Sequence, residues 1–236
     1  MYRQLAADRI HRTVQRLERR LAERFPRSSL LSVARELTQV SAEALERTER
    51  IRRPLYLVRT VVWLLLLSMV GVLVLVPLEM KLGEVRTVLG LVQVLEPALG
   101  TAFFLGALVA SLWTIELRLK RARALRAIHE LRSLAHVVDM HQLTKDPAMT
   151  HEGRGTASSP QRTMSDFELY RYLDYCTEML SLISKIAALY VQGLPDAQAV
   201  AAVDDIEDLC TGLSRKIWQK AILIGRGVAA PAGSPP

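Results

Sequence analysis

Two stretches of this chain run for nineteen residues each without a charge: TVVWLLLLSMVGVLVLVPL at 60–78 and PALGTAFFLGALVASLWTI at 97–115. An α-helix rises about 1.5 Å per residue, so each run covers about 28 Å, close to the roughly 30 Å hydrocarbon core of a bilayer. The competing reading is a pair of buried helices in one large soluble core. A chain of 236 residues that is 23% charged, with its charge gathered outside these runs, lacks the amphipathic shell to cover two such helices. The runs therefore read as membrane spans. The first is too long for a signal peptide and is followed by no small-residue cleavage site, so it reads as a permanent anchor.

The flanks give an orientation. Arg47, Arg50, Arg52, Arg53 and Arg59 precede the first span, and Arg118, Lys120, Arg121, Arg123 and Arg126 follow the second. Between the spans stand only Lys81 and Arg86, against Glu79, Glu84 and Glu96. The positive-inside rule then places both termini in the cytoplasm and the chain in the plasma (inner) membrane. Trp63 and Trp113 fall near the cytoplasmic ends, where indole rings favour the interface, and Pro77 and Pro97 mark the opposite ends. In the connection at 79–96, Leu82, Val85, Val88, Leu89, Val92 and Leu95 recur at helical spacing, which predicts a short external amphipathic helix, the alternative being a simple extension of the spans beyond the bilayer.

Elsewhere the pattern is helical throughout. Residues 1–54 read as two basic amphipathic helices. Ile10, Val14, Leu17, Leu21 and Phe25 form the stripe of the first, and Leu30, Val33, Leu37, Val40 and Ala44 that of the second. Residues 1–60 hold 14 basic and 7 acidic residues. Such a segment beside a membrane is a candidate for contact with anionic lipid headgroups, or equally for a solvated coiled-coil face. Interleaved Glu18, Glu23 and Glu36 and the lack of any nucleic-acid motif argue against nucleic acid.

The second span is expected to continue as a helix over 119–146, stopping before Pro147. Residues 147–164, rich in Gly, Ser, Thr and Pro, read as a flexible linker. SDFE at 165–168 is a capping box. It opens a cytoplasmic helical hairpin over 165–225 that turns at GLPD, and 226–236 reads as a disordered tail. The fold class is all-α: a two-span transmembrane hairpin over 55–118, cytoplasmic N-terminal helices and a C-terminal cytoplasmic helical bundle.

The segment IHELRSLAHVVDMHQLTKDP gathers three histidines. On a helix, Ala124, Ala127, Ile128, Leu131, Leu134, Ala135 and Val138 make one stripe, with His129 and His136 opposite. Seven residues separate these two histidines by about 10.5 Å, too far for one metal ion to bridge. His136 and Asp139 are spaced to share a proton. Leu125, Val137, Met140 and Leu143 form a second, weaker apolar line, which predicts a helix buried on two sides.

No phosphate loop, paired-cysteine metal motif or nucleophile elbow occurs, so no enzyme and no cofactor is indicated. The spans hold no ionisable residue of the kind transporters use at membrane depth. The second span does carry a small-residue seam, Ala102, Gly106, Ala110 and Thr114, which lets helix backbones approach closely. Its partner is either the first span or the same seam in another subunit. Cys176 and Cys210 both lie on apolar stripes. Folding the hairpin about position 194 places them within about one helical turn of each other, as free thiols in a reducing cytoplasm.

The leading expectation is a non-enzymatic, membrane-anchored interaction protein, a homo-oligomer or one bound to another protein. An oligomeric pore or membrane-perturbing effector is the alternative. A pH or redox sensor using His136, Asp139, Cys176 or Cys210 comes third. In outline, two spans carrying cytoplasmic helices resemble the SLATT effector modules of bacterial conflict systems. That likeness is of layout, rests on no shared motif, and implies the pore-type alternative.

Overall fold

The amphipathic stripes fold as helices that bury them. The structure, a computed structural model, describes residues 4–79, 88–143, 145 and 164–229. These form six helices and, among the described residues, no strand: α1 (Ala7–Arg24), α2 (Ser29–Arg52), α3 (Tyr56–Glu79), α4 (Val88–Leu143), α5 (Asp166–Val191) and α6 (Ala197–Ala229). Of the expected linker at 147–164 only Met164 is described; of the expected tail at 226–236, residues 226–229 continue α6 and the rest lie outside the described residues. The helices group into two compact units, residues 53–122 and the remainder.

In the larger unit, α1 buries Ile10, Val14, Leu17 and Leu21, the stripe read from sequence. Pro26 cannot extend the helix, and Ser28 accepts a hydrogen bond from the Leu30 amide (3.1 Å) as α2 begins. α2 buries a wider arc than its spacing suggested, including Leu31, Ala34, Thr48 and Ile51, because it packs on both α1 and α5. The long α5·α6 hairpin is the largest contact of the unit. Ser165 accepts from the Glu168 amide, and the Glu168 side chain accepts from the Ser165 amide (2.8 Å), closing the capping box. The turn places Gly193 at φ +90°, a conformation that suits glycine, and Asp196 Oδ1 accepts from the Ala199 amide (3.0 Å) to cap α6.

One core joins sequence segments far apart. Phe25 meets Tyr172 and Tyr175 edge-on, at 5.7 and 6.2 Å between ring centroids. Arg20 forks onto Glu178 (2.8 and 3.0 Å) and stacks over the Tyr175 ring. Arg47 pairs with Glu130, and Arg132 with Asp205. The apolar stripe of α4 is buried over its full expected length, Ala124 to Val138. Its second line is not. Leu125 is half-buried, but Met140 is 65% exposed, Leu143 60% and Val137 36%, so this helix is buried chiefly on one side rather than two. Three apolar side chains on a polar face do not need a second packing partner.

In the smaller unit, α3 and the first part of α4 are long and apolar enough to cross a membrane, and none of their apolar windows is buried. Trp63, Phe103 and Phe104 are each more than 70% exposed. Two sequence expectations change here. Residues 88–96 are not a separate external helix but the first turns of α4, while 80–87 lie outside the described residues. Pro97 therefore sits inside a helix instead of starting one. Proline removes one amide donor there, a loss that spanning helices tolerate. Glu116, just past the apolar run, pairs with Lys120 (2.8 Å) and accepts from the Leu55 amide (3.4 Å) at the start of α3.

Candidate functional surfaces

Four residues are candidates for proton or redox chemistry: His136, Asp139, Cys176 and Cys210. The structure brings Asp139 near Cys176. His136 is exposed. Asp139 is half-buried and accepts from Gln142 Nε2 (2.6 Å), so its carboxylate is engaged along its own helix. Gln142, only 2% exposed, accepts in turn from Lys220 Nζ of α6 (2.7 Å). This line of Asp139, Gln142 and Lys220 ties α4 to α6, and Cys176 of α5 lies within electrostatic reach of both its charged ends.

Burial pushes the Cys176 thiol up to about 12, with Asp139 adding to the rise and Lys220 opposing it. Burial likewise raises Cys210 to about 11. A thiol so shifted stays protonated and is a weak nucleophile at neutral pH. Cys210 lies near the backbone of Ser184, eight residues along α5 from Cys176.

A cleft of about 970 Å³ opens on the larger unit where the α1–α2 turn, the end of α4 and the start of α5 meet. Phe25 and Tyr172 form its apolar wall, Met140 and Met164 flank it, and Arg24, Arg27 and Lys145 line its rim with Glu168 among them. Tyr172 Oη donates to the His141 carbonyl (3.4 Å), and burial raises its pKa above the ordinary phenol range. Lys145 Nζ stands 5.6 Å from the centre of the same ring. A neutral phenol beside methionines can hold a partner by packing and hydrogen bonds. Sequence reasoning missed this cleft, because residues 24–29 lie over 100 positions from its other walls, and Phe25 and Tyr172 read locally as core. Among the described residues no group of acids, histidines or cysteines has metal-binding geometry.

In the second span, Ala102, Gly106, Ala110 and Thr114 are all exposed. A Cβ added at Gly106 would meet nothing within 4 Å. Within a single chain the small-residue seam is uncovered. Among family models, curated proteins and solved structures, none matches this chain.

Proposed function

We propose that the chain is a non-enzymatic two-pass protein of the inner membrane that holds a helical interaction module at the cytoplasmic surface, with both termini cytoplasmic. One observation carries this reading. The bundle buries its apolar stripes in its own core, whereas the two charge-free helices bury none of their windows within the chain. Each Leu, Val or Phe left in water forgoes roughly 1.5–3 kcal/mol of burial, so something apolar must cover both helices, and lipid does. The arginines flanking both spans favour the cytoplasmic orientation. The cleft lined by Tyr172 and the methionines supports partner binding as the module's role.

The test is extraction and topology. The protein should stay with membranes through alkaline carbonate. A periplasm-active reporter fused after Gly233 should be silent, and one inserted at Glu84 should be active. Release by carbonate, or the reverse reporter pattern, overturns the reading.

The open seam on α4 favours a second reading, in which chains associate through Ala102, Gly106, Ala110 and Thr114 and the assembly perturbs or perforates the membrane. The charge-free walls weigh against a hydrated path. Ion flux from liposomes holding purified protein separates the two: flux supports the pore, and tight liposomes support the anchor.

A further inference from the structure

Four arginines meet around one cavity of about 350 Å³ on the larger unit: Arg47 and Arg50 from the end of α2, Arg123 and Arg126 from α4. Ile51 and Ala127, both buried, form its floor, and Glu130 is its only acid. Glu130 is already held by Arg47, which also binds Glu43 (2.6 Å). Arg50 holds only the exposed Glu46 (3.1 Å). Arg123 and Arg126 are exposed and enter no ion pair among the described residues. The buried Tyr190 hydroxyl lies behind Arg47, within its electrostatic reach. Like charges do not converge without cost on an apolar floor, and an anion relieves that repulsion. Guanidinium forks match phosphate oxygens two at a time.

We infer that this pocket binds the phosphate of an anionic lipid headgroup. The inference rests on the membrane reading above. Arg47 and Arg50 stand thirteen and ten residues before the first charge-free run, and Arg123 and Arg126 eight and eleven residues after the second. Eight helical residues rise about 12 Å, a distance comparable to the depth of the headgroup layer that borders the hydrocarbon. The exposed arginines of α1, by contrast, sit on a helix whose apolar face is committed to the core. They offer a diffuse field, while the pocket offers converging donors.

The experiment uses the full chain in non-ionic detergent, mixed with phosphatidylglycerol or phosphatidylcholine, and native mass spectrometry to count retained lipid. The wild type retains phosphatidylglycerol in preference to phosphatidylcholine. Arg123→Gln with Arg126→Gln weakens phosphatidylglycerol retention by about tenfold or more, the scale of two charges at a membrane surface. Arg16→Gln with Arg19→Gln leaves it within about twofold. Glu130→Gln, which removes the one acid and frees Arg47, strengthens retention, a change that misfolding would not produce. Equal loss from the α1 pair, or no preference in the wild type, overturns the inference. Displacement of the lipid by millimolar inorganic phosphate overturns its lipid source and assigns the pocket to free phosphate. Carbonate extraction of the same preparations keeps the two readings apart: a wild type released from membranes defeats the membrane reading, and a retained wild type without lipid preference defeats only the pocket.

Discussion

Cys176 has no exposed surface, and its thiol is held up to about 12 by burial. Two consequences follow at the level of this residue. Iodoacetamide at neutral pH should leave it unmodified in the folded chain and label it only after denaturation, because the thiolate is the reactive form. Rapid labelling of the native protein would show that the α4–α5–α6 core opens readily. The pH dependence has a fixed sign. The unfolded thiols ionise near 8.5, whereas the folded ones hold their protons until about 12 for Cys176 and 11 for Cys210. Above about pH 8.5 the unfolded state binds fewer protons, so stability should fall as pH rises. Burial raises Tyr172 and Tyr190 as well, which steepens the fall above about pH 10. Thermal melts between pH 7.5 and 10.5 check this, and a flat profile would contradict it. That both cysteines lie on buried stripes was legible in the sequence, since helical periodicity marks a face. That Cys210 lies near Ser184 was not, because the register of two packed helices depends on how the turn delivers the second one. A single turn residue moves that register by several ångströms.

At the level of elements, α4 shows what periodicity can and cannot reveal. Its seven buried residues from Ala124 to Val138 could be read from spacing alone. Met140 and Leu143 were misread, because a line of apolar residues records composition and not a neighbour. Pro97 lies inside α4 and not at its start, because one lost amide donor can be made up locally and does not by itself end a helix. The ion pairs that knit the unit, 83 and 158 residues apart in sequence, leave no local trace. Leu131, fully buried on the stripe, should lose about 2–5 kcal/mol on replacement by alanine, read from denaturant unfolding. Met140→Ala on the exposed line should change stability by less than about 0.5 kcal/mol. Equal effects would mean that the second face is packed after all. Further along the same helix, Gly106→Leu fills open space in the single chain and should not unsettle the fold. If the seam joins two chains, the added side chain holds their backbones apart and the oligomer dissociates in mild detergent. An unchanged oligomer would remove the seam from any subunit contact.

The whole molecule divides into a unit whose apolar surface is internal and one whose apolar surface is external. The first is discontinuous in sequence, drawing on residues before 53 and after 122. Its two cut ends are close, since Arg50 and Ile51 line the same cavity as Arg123. A flexible Gly/Ser linker of about eight residues, with a typical span near 15 Å, should therefore replace residues 53–122 without straining the bundle. The resulting chain keeps α1 and α2 on α5, the α5·α6 hairpin and the buried stripe of α4, and loses every charge-free run. It should be soluble without detergent, helical, and cooperative in thermal unfolding, because the remaining apolar stripes already have partners. Removing residues 1–52 as well is the informative contrast. That deletion strips Leu17, Leu21, Phe25, Leu30 and Leu37 from the core and leaves the α5 aromatics Tyr172 and Tyr175 without their cover. At roughly 1.5–3 kcal/mol for each of these five large apolar side chains, the loss is about 8–15 kcal/mol, as large as the 5–15 kcal/mol that typically holds a domain together. The shorter chain should aggregate or melt without cooperativity. A soluble, cooperative chain without residues 1–52 would show that the N-terminal helices are an accessory to the bundle, free to leave it for the membrane surface.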